Sequence, residues 1–477
     1  MTSGQTTLEL IRLFVLLVGA AALVTLLARR INLPYTVALV GFGIVAGALA
    51  QPLQVEITPE LVLVVLLPAL IFEASYQTDF AKLRPSLGGV ALLAGPGVFV
   101  SAAIIAAALH FGAGLAAPQA FVVGAMLSAT DPAAVIATFK SLGSPRRLST
   151  LVEAESVFND GTGIVVFAIA VAFVTRPVGP LEIGFSFVSV TIVSTALGAV
   201  AGYAASRILP SVGDHLIEIS LSVVLAYGTY LTADALHQSG VIATAVAGIV
   251  LGNYGRRLGL SEKTEEALDT VWEFVAFLAT AFVFLVVGFA IAVHSLADAA
   301  MPIVWAIVAT LAARAIIVYG LLGGWRLAKR AWAGRAPAAA NPVRPRKSAG
   351  AAGPARAARD AEVPFDWLHV VFWSGLRGAV STALALSLPT DFPDRAQLQA
   401  ITFGVVLFTM VVQATTAELV VGRWGGKASG SSTSKPKPKS GSKSKSSGGD
   451  PTGGRPVDGA RLAADRAGSE ADGGLAT

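Results

Sequence analysis

The chain has no cysteine and only five histidines in 477 residues. The first absence excludes a disulfide framework, a zinc–thiolate centre, an iron–sulfur cluster and thiol catalysis. The second, without any HExxH-like spacing, leaves little for a transition-metal hydrolase. Charge is scarce too. Asp, Glu, Lys and Arg make up 14% of the residues, against about 25% in a water-soluble domain, and they are pooled in a few segments. No nucleophile and base pair stands out, so an enzyme is not expected; nor is a cofactor or a nucleic-acid partner. What fills the chain is apolar, at 54% hydrophobic residues, and the expected setting is a lipid bilayer. Ion or solute transport is the leading class.

A helix needs about 20 apolar residues to cross the hydrocarbon core, and the sequence supports about thirteen such segments. The expected fold class is an all-α polytopic membrane protein. The segments used below run over 58–74 (third), 118–139 (fifth), 150–175 (sixth), 299–322 (eleventh) and 364–388 (twelfth). Connecting segments alternate in basic content. Arg29 and Arg30, Lys82 and Arg84, Lys140 with Arg146 and Arg147, Arg207, then Arg256, Arg257 and Lys263 fall in every other loop, whereas the opposite loops hold Arg176 and Arg395. This bias sets the amino terminus outside and the carboxyl terminus in the cytoplasm of a plasma (inner) membrane protein, with an odd number of spans. The Ala, Pro and Arg-rich stretch 323–363 reads as a cytoplasmic connector. The Ser, Gly, Lys and Pro-rich stretch 427–477 is too polar to bury a core and reads as a disordered tail.

An ionisable side chain at bilayer depth costs about 2.5–3.5 kcal/mol or more, so each one is a functional candidate. The fifth span carries Asp131, the sixth Glu155 and Asp160, the eleventh Arg314 and the twelfth Arg377. Glu73 closes the third span, and Asp234 lies near an outer end, where a charge can reach water. In the fifth span, VVGAMLSATDPAAVIATFK, Pro132 has no amide hydrogen and pushes its predecessor out of the helical region, so the helix should break at Thr130 and Asp131. Main-chain carbonyls freed at that depth need a protein, water or cation partner.

The sixth span begins STLVEAESVFNDGTGIVVF. Ser156 and Asp160 are four residues apart and share a face; Glu155 and Asn159 share the next one. Carboxylate plus hydroxyl is the oxygen-rich set that suits a hard cation, which makes Asp160 the leading candidate. Gly161 and Gly163 would let a neighbouring helix come close. In the twelfth span, FDWLHVVFWSGLRGAVSTALALSLP, Gly375 and Gly378 flank Arg377 and permit an irregular backbone. A buried guanidinium needs a carboxylate. Glu155 is the expected partner, and a pairing of Arg377 with Asp131 stays open. If the two halves are inverted repeats, the interrupted helices 5 and 12 hold equivalent places, the arrangement that marks a transporter's binding site.

SATDPAAV around Asp131, ESVFNDGTGIVV around Asp160 and GLRGAVSTALAL around Arg377 resemble the signature segments of the NhaP-type monovalent cation:proton antiporters. LLPALIFEASYQTDF and LHQSGVIATAVAGIVLGNYG are similar to further family segments, and the resemblance runs from about 10 to 425. It implies an NhaA-like antiporter fold of two inverted-topology repeats, forming a homodimer. Helices 1–3 (1–85) and 7–10 (181–297) would be scaffold and dimer contact, and helices 4–6 (86–180) and 11–13 (298–426) the transport core. It implies that Asp160 binds ion and proton, that Asp131, Thr130 and Ser156 complete a Na+ site, and that Asn159, Glu155 and Arg377 support it. Glu73 and Arg314 are secondary candidates. The expected activity is electroneutral exchange of Na+, Li+ or K+ for H+ by alternating access. The rivals are a cation channel and an organic-anion carrier that anchors its substrate on Arg314 and Arg377.

Overall fold

The computed structural model describes residues 3–31, 33–49, 61–175, 179–258, 260–290, 293–328 and 364–426. Most of the 323–363 connector, the whole of the 427–477 tail and Arg176 lie outside the described residues. Among the described residues every regular element is helical. The longer ones, in chain order, are α1 (Ser3–Arg30), α2 (Tyr35–Leu49), α3 (Leu67–Tyr76), α4 (Leu87–Ala94), α5 (Pro96–Ala113), α6 (Ala117–Met126), α7 (Ala133–Leu142), α8 (Arg146–Thr175) and α9 (Pro180–Ile208). They continue with α10 (His215–Ala235), α11 (Gly240–Val250), α12 (Glu262–Ala290), α13 (Ala300–Ala315), α14 (Phe365–Trp373), α15 (Ala379–Leu386), α16 (Arg395–Phe408) and α17 (Thr415–Trp424).

Seven helices among the described residues are long and apolar enough to cross a membrane unbroken. That is fewer than the segments counted from the sequence, and the two interrupted segments account for part of the difference. The fifth is divided into α6 and α7 and the twelfth into α14 and α15. A ten-residue helix rises about 15 Å, half the hydrocarbon thickness, so each of these segments crosses as two halves. Large apolar side chains face outward, Phe111 at 84% and Phe185 at 78% exposure, which suits a hydrocarbon surround and not water.

Packing divides the helices by their neighbours. In one set α2 lies along α12, α9 along α11, and α11 along α3. The first of these contacts needs glycine: a Cβ on Gly288 would sit 2.6 Å from the Gly43 Cα, so small residues on both helices set the approach. In the other set α5 packs on α6 and α13, and α13 on α16. Helix α8 touches both sets, meeting α4 and α6 on one side and α11 and α3 on the other. The acidic residues of the sixth span are therefore carried on the helix where the two sets meet.

Candidate ion-binding site

The chain between α6 and α7 (127–132) and the chain between α14 and α15 (374–378) cross within the core. They are joined main chain to main chain, the Asp131 amide donating to the Leu376 carbonyl at 2.9 Å. The irregular stretch includes the expected break at Thr130 and Asp131 but starts earlier, α6 ending at Met126 and Pro132 immediately preceding α7, and Gly375 and Gly378 allow the close approaches of the second irregular stretch. A Cβ on Gly378 would collide with the Asp131 carboxylate, and one on Gly375 would lie 2.6 Å from the Arg314 Nε.

The crossing is balanced electrostatically. Asp131 accepts the Ala133 amide on Oδ1 and the Ala379 amide on Oδ2, both at 3.1 Å. Those amides are the first of α7 and α15. One carboxylate thus serves the positive ends of two half-helices. At the opposite pole, Arg377 Nη1 donates to the Ser128 and Ala129 carbonyls at 2.8 and 2.6 Å, just beyond the carboxyl end of α6, where a cation is favoured.

The expected pairing of Arg377 with Glu155 is therefore corrected, and so is the alternative with Asp131. Glu155 is held by Arg314, whose Nη1 and Nη2 meet Oε1 and Oε2 at 2.8 and 2.9 Å in a bidentate fork. Nη2 also donates to the Val371 carbonyl at 2.8 Å. All three charges are deeply buried: Glu155 is 2%, Arg314 6% and Arg377 1% exposed. The reason for the difference is that Arg377 finds its compensation in main-chain carbonyls at a helix end. Sequence reasoning counted carboxylates alone and gave Arg314 a secondary place. No local pattern separates two arginines that both lie mid-span, so this signal was absent from the sequence.

Asn159 ties the anchor to the crossing. Its Nδ2 donates to the Thr130 hydroxyl at 2.6 Å and to Glu155 Oε1 at 2.9 Å, and its Oδ1 accepts the Thr130 amide at 3.2 Å. Ser156 Oγ donates to the Thr130 carbonyl. Thr130, Ser156, Asn159 and Glu155 are thereby brought into one network, with Asp131 next along the chain. Glu73 stands outside it. Glu73 accepts from Gln77 Nε2 at 2.6 Å near the end of α3.

Asp160 differs from every other acid here. Its Oδ1 is buried and has no hydrogen-bond partner among the described residues. The charges that bear on it are Asp131, Glu155 and Arg377. Asp131 is engaged by two amides and Glu155 by an arginine and an asparagine, so Asp160 is the carboxylate left with an oxygen to offer. A hard monovalent cation or a proton meets that need, and the neighbouring Ser156 and Thr130 oxygens are of the kind such a cation takes.

Interrupted helices crossing beside a carboxylate with one buried, unpartnered oxygen are the arrangement of a secondary transporter. The transmembrane sodium/hydrogen exchanger family model matches residues 17–422, and the chain belongs to that family. It is 36% identical over 412 residues to the Na+/H+ antiporter ApNhaP of Aphanothece halophytica, an alignment covering 85% of this chain and 73% of that protein. It is 34% identical over 424 residues to the Na+/H+ antiporter NhaH of Halobacillus aidingensis, covering 86% and 96%. The structure of the sodium proton antiporter MjNhaP1 from Methanocaldococcus jannaschii matches with a TM-score of 0.69 at 19% identity, over 88% of this chain and all of that one. The chain shares its fold.

Proposed function

We propose that the protein exchanges one monovalent alkali cation for one proton, with Na+ as the first candidate and Li+ and K+ as the others. The observation that carries the reading is the unpartnered Asp160 oxygen beside the crossing. Asp160 carries the proton or, with Asp131, Thr130 and Ser156, the cation; the two ligands compete for one carboxylate. Arg314 and Glu155 cancel each other's charge, and Asp131 is balanced by helix ends, so the ligated site carries the same charge with H+ or with Na+. Exchange is then electroneutral, since a membrane potential acts on moved charge alone.

In this reading α4 to α8 and α13 to α17 form the moving core, and the helices of 1–85 and 181–297 the scaffold and dimer contact. About thirteen spans in two inverted repeats, with the amino terminus outside the plasma membrane and the carboxyl terminus in the cytoplasm, complete the arrangement. Alternating access follows from motion of α8 and the crossing against that scaffold. Against the anion-carrier alternative stands the use of the guanidinium Nη atoms within the protein, those of Arg314 on Glu155 and that of Arg377 on carbonyls. The test is dequenching of a pH-sensitive dye in inverted vesicles on addition of each alkali cation. Cation-driven proton movement, insensitive to collapse of the membrane potential, is expected. Cation flux that persists without any proton movement would instead identify a channel.

A further inference from the structure

A cavity of about 370 Å³ lies between the later half of α8, at Ile164, Ala168 and Ala172, and the end of α10 with the turn that joins it to α11, at Asp234 and His237. Its α8 wall is apolar. Its opposite wall is polar and includes Gln238, whose Oε1 is buried without a partner among the described residues. Val241, at the start of α11, also lines the cavity. The same Val241 and its neighbour Ile242 press on Gly161. A Cβ there would lie 3.6 Å from Val241 Cγ1 and 2.8 Å from Ile242 Cγ1. Gly161 directly follows Asp160. Along α8 the contact at Gly161 therefore falls between Asp160 and the cavity lining, which starts at Ile164.

We propose that Ile242, backed by Val241, is the seal between the site and the outside, and that the cavity is the outer vestibule of the ion path. The contact is van der Waals only, side chain against a bare glycine, so it opens without breaking a hydrogen bond or stranding a polar group. Gly161 supplies the notch: any side chain there would take the space Ile242 fills. Helix α8 belongs to the set of helices that the proposed exchange moves, and α11 to the set that stays. A shift between them would carry Gly161 off Ile242 and join Asp160 to the vestibule. The proposal rests on the outward orientation given above for the α10–α11 turn.

The absence of native cysteine gives a clean test. A membrane-impermeant, positively charged methanethiosulfonate is applied to the outer face of right-side-out vesicles, without alkali cation. Ala168→Cys should label quickly. Asp160→Cys should label slowly, at least tenfold faster when combined with Ile242→Ala, by an intermediate factor with Ile242→Val, and no faster with Ile242→Leu. Unchanged labelling of Ala168→Cys in the Ile242→Ala background confirms that the vestibule is intact in that variant. Equal labelling of Asp160→Cys with Ile, Val or Ala at 242 overturns the seal, and labelling of Ala168→Cys from the inner face alone overturns the vestibule. Cation-driven proton movement by the wild type is read separately: its absence would refute the exchange reading while leaving the labelling pattern as it stands.

Discussion

Removing Arg314 by Arg314→Met deletes both forks of the guanidinium on Glu155 and its bond to the Val371 carbonyl. The methionine fills much of the volume, so the cost comes from a carboxylate left buried without its cation. Breaking such a pair costs about 3–5 kcal/mol. Unfolding entropy grows with chain length, and a domain of 150–250 residues loses about 2–4 °C per kcal/mol. For this longer chain roughly half that slope applies, which gives a fall of roughly 3–10 °C in the thermal midpoint in detergent. Glu155→Gln removes the charge and keeps an oxygen to accept from Asn159. Combined with Arg314→Met it should recover most of the loss, a coupling of about 2–3 kcal/mol. Arg377→Met breaks no hydrogen bond to a carboxylate. Its loss, two charge-assisted bonds to carbonyls, should couple to Glu155→Gln more weakly than that of Arg314→Met does. The measurement is a thermal unfolding scan at one fixed rate for the three single and two double variants. Recovery of Arg377→Met by Glu155→Gln, with none for Arg314→Met, would show that the guanidinium assignments had been exchanged.

Four more outcomes are expected. Asp160→Asn should give a folded protein, with a thermal midpoint near that of the wild type, that moves no proton on addition of alkali cation; retained exchange would place the site elsewhere. Gly378→Ala should abolish exchange, because its methyl group occupies the position of the Asp131 carboxylate and separates the two half-helix ends; near-normal activity would contradict the crossing geometry. Because proton and cation compete for one group, the apparent KM for Na+ should rise as pH falls with the maximal rate recoverable at saturating Na+, and Ser156→Ala, which loses a bond worth about 1 kcal/mol, should raise that KM about fivefold at fixed pH. A KM independent of pH between mildly acidic and alkaline conditions would end the competition model.

Much of the site was legible in the chain because its signals are local. The penalty for a charge at bilayer depth marks Asp131, Asp160, Glu155, Arg314 and Arg377 one at a time, with no knowledge of their neighbours. Proline after Asp131 and glycines about Arg377 announce interrupted helices through backbone chemistry that acts within two residues. The four-residue step from Ser156 to Asp160 follows from helical period alone. The membrane class rests on composition, which needs no structure at all.

Partnership was decided only in three dimensions. Arg314 and Glu155 are 159 residues apart, and nothing along the chain prefers that arginine over Arg377; the choice is made by where the fold sets Arg314 of α13 and the Val371 carbonyl of α14 relative to Glu155 on α8. Arg377 meets carbonyls 248 and 249 residues away, partners that every residue carries and that no sequence pattern can single out. Asp131 caps a helix whose first amide is 248 residues distant. Burial cost is a property of one residue and can be read from its surroundings in the chain. Compensation for that cost is a property of pairs, and pairs exist only once the helices have been brought together.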